Sequence, residues 1–143
     1  MTVRSILVLH GPNLNLLGAR EPSIYGSETI DDHCETVRQR AGESVQVSTL
    51  QSNSEAEIVA AVQGARGVYD AIIINAGALT HYSWSLHDAL RSFDGRAVEV
   101  HLSNPTAREE FRHTSVLSGA VSGTISGFGG LGYALAVEAL LSA

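Results

Sequence analysis

Tyr25, Arg20, His101, His81, Arg108 and Arg112 are the residues whose types and placement suit proton-transfer chemistry. Arg20 and Tyr25 share one polar loop. A phenol with a pKa of about 10 is ionised to about one part in a thousand at pH 7, and nearby opposite charge lowers a pKa by about 1 to 3. One or two arginines can therefore make Tyr25 a working base. His101 stands at the end of an apolar run, beside Ser103 and Asn104. Such a histidine is either a satisfied core residue or a proton donor, and its place where the chain leaves the sheet favours the donor, since its ordinary pKa lies near neutrality. His81, after Asn75 and Gly77, follows the same logic. Arg108 and Arg112 either anchor a polar anion or pair with Glu109 and neighbouring acids on a solvated face. Asp88 reads as a solvated acid. Together these groups suit proton abstraction next to a carbonyl with loss of a leaving group.

These side chains need a scaffold, and the stretch that announces it is SILVLHGPNLNLLGAREPSIYG. Ser5 to His10 is a β-branched, apolar run closed by Gly11-Pro12, which predicts a buried strand. The loop after it carries Asn13, Asn15, Arg20, Glu21 and Tyr25. A strand that feeds a polar loop at its C-terminal end is where open α/β sheets keep their sites. Thr29 with Asp32 predicts a capping box opening a helix through Ile30, Cys34, Val37 and Ala41, stopped by Gly42. Val45 to Leu50 reads as a strand. Ser54 with Glu57 predicts a second capping box and a helix along Ile58, Ala61, Val62 and Ala65. Ala71 to Asn75 reads as a central parallel strand. A helix through Leu86, Ala89, Leu90 and Phe93, a strand from Ala97 to Leu102, a strand from Ala120 to Ile125 and a last helix through Leu135, Val137, Leu140 and Leu141 complete the pattern. Five strands alternating with helices predict an α/β, flavodoxin-like three-layer sandwich with a five-stranded parallel sheet, as a single domain over residues 1–143.

Composition removes several alternatives. The chain has 143 residues and a formal net charge of -6, with a pI near 5.4. Neither nucleic acid nor an anionic membrane finds an electrostatic footprint here, while a small anionic substrate needs only a local basic cluster. No apolar run approaches the roughly 20 residues of a membrane span and no signal pattern opens the chain, so a cytoplasmic protein is expected. Every one of the nine basic residues is an arginine. Without lysine there is no lysine Schiff base, no covalently held pyridoxal phosphate and no Walker A loop. The lone Cys34 is at helical spacing with Ile30 and Val37, as a packing residue. His10, His33, His81, His87, His101 and His113 show no HxH, HxxxH or HExxH spacing, so no metal is expected. Gly127-Phe-Gly-Gly-Leu-Gly132 matches GxGxxG, but no further strand and ribose-binding acid follow before Ala143, so these glycines are read as close helix-to-sheet packing.

The runs HGPNLNLLGAREPSIYG, QSNSEAEIV, NAGALTHYSWSLHDAL, VEVHLSNPTAREEFRHTS and GLGYALAVEAL resemble, in order and across nearly the whole chain, the type II 3-dehydroquinate dehydratases. The resemblance implies a lyase of the shikimate pathway that dehydrates 3-dehydroquinate to 3-dehydroshikimate through an enolate, by anti elimination, with neither cofactor nor imine. It implies Tyr25 as the base that removes the C2 proton, Arg20 as the group that lowers its pKa, Asn13 as a stabiliser of the enolate and His101 as the acid that protonates the C1 hydroxyl. Asn75 and His81 would hold ring hydroxyls, Arg112 hydroxyls at the far side, and the backbone N–H groups of Leu102 and Ser103 the carboxylate. Arg108 and Glu110 would support that geometry. The resemblance also implies a homododecamer, a tetramer of trimers, in which Asp88 reaches into a neighbour's site. His10, Ala76, Trp84, Thr106, Thr114 and Val116 depart from the usual residues of the family, and none of them is a proposed catalytic group.

Three other functions compete. A non-catalytic flavodoxin-like small-molecule-binding module would lack a member of the Tyr25, Arg20 and His101 trio, and none is lacking. A flavin protein of this fold would carry a Ser/Thr-rich phosphate cradle where this loop is rich in Asn and Leu. An enzyme acting on another hydroxylated cyclic carboxylate is the nearest alternative.

Overall fold

The computed structural model describes residues 2–142. In chain order the elements are β1 (Ser5–His10), the short α1 (Pro22–Tyr25), α2 (Ile30–Ala41), β2 (Gln46–Gln51), α3 (Glu55–Ala65), β3 (Ala71–Asn75), α4 (Trp84–Ser92), β4 (Arg96–His101), β5 (Gly123–Ser126) and α5 (Leu131–Leu141). The strands form one parallel sheet in the order β2-β1-β3-β4-β5. Every residue of β3 is buried, which explains its unbroken AIII run, whereas the edge strands β2 and β5 stay half open to solvent.

Because side chains alternate across a strand, β1 feeds two cores. Ile6 and Val8 meet Cys34, Val37, Tyr133 and Val137 from α2 and α5, while Leu7 and Leu9 meet Ile58, Val62, Leu86 and Leu90 from α3 and α4. The result is a three-layer α/β sandwich. Cys34 lies in the first core, and burial pushes its thiol above the ordinary value despite the nearby Arg38.

The local signals vary in reach. At α2 both halves of the capping box form, with Thr29 Oγ1 accepting from Asp32 N–H at 3.2 Å and Asp32 Oδ2 from Thr29 N–H at 2.9 Å. At α3 only half forms. Ser54 caps the Glu57 N–H, but the Glu57 carboxylate turns to the Ser52 hydroxyl at 2.7 Å and the Ser54 N–H is taken by that same hydroxyl. The last strand also moves. Ser118–Ala120 form a 3-10 turn and pairing with β4 begins only at Gly123, because Ser122 is held at the start of β4, donating its N–H to Ala97 O and accepting from Ala97 N–H. Of the glycine cluster, Gly132 packs against Val100 and Ile125 of the sheet, where a Cβ would come within 3.2 Å of Val100.

The C-terminal edge of the sheet draws two loops together. The loops leaving β1 and β3 touch at Gly11, where any Cβ would overlap the Ala76 carbonyl, and at Gly77, whose φ of +61° brings it against the Pro12 carbonyl. β1 and β3 flank the position where the strand order reverses, which is where sheets of this order bind ligands.

Two buried histidines sit below this edge. Burial lowers the pKa of His10 from 6.5 to about 4, with the nearby His33 adding to the effect, and burial lowers that of His33 against the pull of Glu28 and Asp32. Both are neutral when folded and take up protons more readily when unfolded. Their burial therefore costs no stability above pH 6.5 and destabilises the fold as the pH falls below it, His10 by about 3 kcal/mol by the time the pH reaches about 4. Melting temperature should fall steadily across that window, and less so in His10→Gln. A flat profile from pH 6.5 to 4 would contradict the burial of these rings.

Candidate active site

A cavity of about 330 Å³ opens at this edge, lined by Asn13, Arg20, Tyr25, Asn75, His81, His101, Leu102, Ser103, Arg108 and Arg112 among others. Three loops deliver them, after β1, β3 and β4. Of the residues given a role from sequence, Glu110 is exposed and does not line the cavity, and Asp88 is elsewhere. It is exposed on α4 and does not line the cavity of its own chain.

The first loop presents Asn13 and the Arg20–Tyr25 pair. Asn13 and Glu21 are the described non-glycine residues with positive φ, at 69° and 40°. Asparagine tolerates that region, and the Asn13 N–H is tied to Asn53 Oδ1 at 3.0 Å. Glu21 turns the chain sharply into α1, so Tyr25 points back over the sheet and packs its ring against the core. Two guanidinium groups face that ring, with Cζ of Arg20 at 4.9 Å and Cζ of Arg108 at 5.1 Å from its centroid. Arg108 also donates to the Ser103 hydroxyl at 3.1 Å. Sequence reasoning gave Arg108 a supporting part; it stands as close to Tyr25 as Arg20 does. Two permanently charged guanidinium groups therefore stand over one phenol ring.

The exit of β4 supplies the acid. His101 Nε2 donates to Glu99 Oε2 at 2.6 Å, and Nδ1 has no hydrogen bond among the described residues. Glu99 is the group that sequence reasoning missed, since it lay inside the strand read from Ala97 to Leu102 and was given no role. It is fully buried and accepts from Thr80 Oγ1 at 3.1 Å, Ser115 Oγ at 2.8 Å, Ser118 Oγ at 3.0 Å and Thr124 Oγ1 at 3.4 Å. Burial disfavours its charge, but the hydrogen bond and charge of His101 with those of Ser115 and Ser118 prevail, holding the carboxyl below its ordinary value. The i, i+2 spacing of Glu99 and His101 was the available signal, since it places both on one face of a strand. A buried carboxylate behind an imidazole fixes its tautomer and the orientation of its ring.

The remaining groups suit recognition. His81 Nδ1 donates to the Thr114 carbonyl at 2.8 Å, which turns Nε2 into the free nitrogen. Asn75 Oδ1 accepts from Gly77 N–H at 3.2 Å. Arg112 donates to Glu109 at 2.9 Å and lies 4.5 Å over the Phe111 ring, so its acid neighbour orients the guanidinium without removing it from the cavity. The backbone N–H groups of Leu102 and Ser103 make no hydrogen bond among the described residues. Paired free N–H groups at a strand exit are a ready cradle for a carboxylate. Among the described residues no three His, Cys, Asp or Glu side chains cluster as a metal site, and no helix is long and apolar enough to cross a membrane.

Comparison with known proteins places this geometry. The family model described as dehydroquinase class II matches residues 4–141. The chain is 52% identical over 136 residues to a 3-dehydroquinate dehydratase of Dictyoglomus turgidum, covering 94% of each chain. It is 51% identical over 139 residues to that of Ruegeria pomeroyi, covering 95% of this chain and 92% of the relative. The crystal structure of the type II dehydroquinase from Propionibacterium acnes is similar at a TM-score of 0.93, with 41% identity and 99% of both chains covered. A 3-dehydroquinate dehydratase-like protein from Bifidobacterium longum is similar at a TM-score of 0.72, with 29% identity, covering 99% of this chain and 97% of that one.

Proposed function

The chain belongs to the class II dehydroquinase family, and we propose how its own residues carry out the dehydration of 3-dehydroquinate to 3-dehydroshikimate. The observation that carries the reading is one cavity holding a tyrosine under two guanidinium groups and a histidine backed by a buried carboxylate. Tyr25, as phenolate, takes the proton from C2 of the substrate. The electron pair moves toward the adjacent carbonyl, and Asn13 stabilises the resulting enolate through a bound water. His101, protonated and held by Glu99, then gives its proton to the C1 hydroxyl, which leaves as water as the C1–C2 double bond forms. Base and acid approach from opposite faces, which makes the elimination anti.

Recognition divides among the other groups. The free N–H groups of Leu102 and Ser103 take the carboxylate, Asn75 and His81 hold ring hydroxyls, and Arg112 binds the far side. Arg108, touching both Tyr25 and Ser103, couples base to carboxylate site. With arginine as the sole basic residue type, no lysine imine can form. The test is ultraviolet absorbance of the conjugated enone formed from 3-dehydroquinate, repeated after borohydride treatment of enzyme with substrate. Signal growth unaffected by borohydride is expected. A folded protein that produces no enone would move the search to other hydroxylated cyclic acids.

We further propose a homododecamer, a tetramer of trimers, in which Asp88 completes a neighbour's site. Its exposure on α4, near the exposed Tyr82 and Trp84, supports this. Asp88→Asn should lower kcat/KM by about 10-fold or release smaller oligomers, as expected when one charged hydrogen-bonding partner of a site is lost. Sedimentation and initial rates read both effects, and a fully active dodecamer would remove Asp88 from the site.

A further inference from the structure

Behind Asn75 runs a chain of hydrogen bonds whose direction is fixed at one end. The Gly77 N–H can only donate, so the atom it meets at 3.2 Å is Oδ1 of Asn75. Nδ2 of Asn75 therefore faces Tyr133 and donates to its hydroxyl oxygen at 3.2 Å. An oxygen that accepts there sends its own proton onward, to Nε2 of His10 at 2.8 Å. His10 accepts at Nε2 and so carries its proton on Nδ1, a buried atom with no hydrogen-bond partner among the described residues. His10 and Tyr133 are fully buried and Asn75 is 4% exposed. A neutral His10 with its proton on Nε2 would leave the buried Tyr133 proton without an acceptor. A protonated His10 would present an N–H to the same oxygen, leaving the Tyr133 proton without an acceptor, and the burial that keeps His10 neutral keeps the order intact. His33 stacks on the Tyr133 ring with centroids 4.7 Å apart and an interplanar angle of 9°, which fixes the ring plane.

We propose that Tyr133 and His10 are positioning residues for the dehydration, fixing through this chain which edge of the Asn75 amide is presented to substrate. The inference rests on the assignment of Asn75 to a substrate hydroxyl. With one N–H committed to Tyr133 and one oxygen lone pair to Gly77, the amide keeps one N–H and one lone pair for the cavity that Asn75 lines. A hydroxyl both donates and accepts, so an amide locked in this orientation fits it in one orientation only. Without Tyr133, Nδ2 would be buried with no acceptor, and the amide would turn to find one.

The test compares Tyr133→Phe, His10→Leu and His10→Gln with the wild type on 3-dehydroquinate. Glutamine places an amide oxygen near the position of Nε2, so it keeps the acceptor that leucine removes. Tyr133→Phe and His10→Leu should raise KM by about 10-fold, the equivalent of one hydrogen bond, with kcat within about 3-fold, and His10→Gln should restore KM. Unchanged KM in the first two, a loss confined to kcat, or His10→Gln as impaired as His10→Leu would overturn the proposal. If Tyr133→Phe does not fold, the two His10 variants decide. A crystal structure of whichever of Tyr133→Phe and His10→Leu folds gives a readout independent of turnover: Asn75 unmoved would overturn the positioning role. An inactive wild type would instead overturn the dehydration itself, and the Asn75 orientation in that crystal would still decide the device.

Discussion

Tyr25→Phe is expected to lower kcat by at least ~100-fold while leaving the protein folded, the loss typical of removing a general base from its position. Phenylalanine keeps the ring that packs against the core and the face that Arg20 and Arg108 cover. It removes only the oxygen. Arg20 and Arg108, the groups over that ring, cannot replace the oxygen as a base because they are permanently charged. Circular dichroism checks the fold and steady-state rates check the loss. Turnover within a few-fold of wild type would mean that Tyr25 shapes the loop without taking the proton.

His101→Ala should cost at least ~100-fold in kcat, because the leaving hydroxyl then departs without a proton donor. The contribution of Glu99 is separable. Glu99→Gln keeps the volume and one acceptor oxygen but removes the carboxylate charge that His101 Nε2 meets at 2.6 Å, so kcat should fall by about 10- to 100-fold. Residues that act as a unit are not additive, and the double variant should be no slower than His101→Ala alone. Independent, multiplying losses would show that Glu99 acts through the fold and not through His101. The glutamine also brings an N–H₂ group toward the hydroxyls of Thr80, Ser115, Ser118 and Thr124, so thermal unfolding should be measured beside the rates.

Much of the layout was legible because local chemistry set it. The β1 and β3 runs are apolar for as long as they are covered, and β1 is followed by Gly11, where the neighbouring Ala76 carbonyl leaves no room for a Cβ. The Thr29 capping box needed only residues three apart. The Ser54 cap was half legible: its serine acts locally, but the Glu57 carboxylate found the Ser52 hydroxyl, a partner no capping pattern encodes. The final strand begins later than its apolar residues suggest because Ser122 is held at the foot of β4.

The site divides in the same way. Residue type and loop position singled out Tyr25, Arg20, His101, His81 and the arginine pair, since proton transfer and anion binding require particular functional groups and open sheets keep them at strand exits. The lysine-free composition likewise excluded imine chemistry before any fold was known. Partnership was decided elsewhere. Arg108 reaches Tyr25 from a loop more than half the chain away in sequence, Glu99 gathers four hydroxyls from three segments, and Tyr133 in the first turn of α5 meets Asn75. Sequence fixes which groups the chain possesses and where strands release them; only the packed tertiary structure decides which distant groups meet, because a hydrogen bond is set by distance and direction in space and not by separation along the chain.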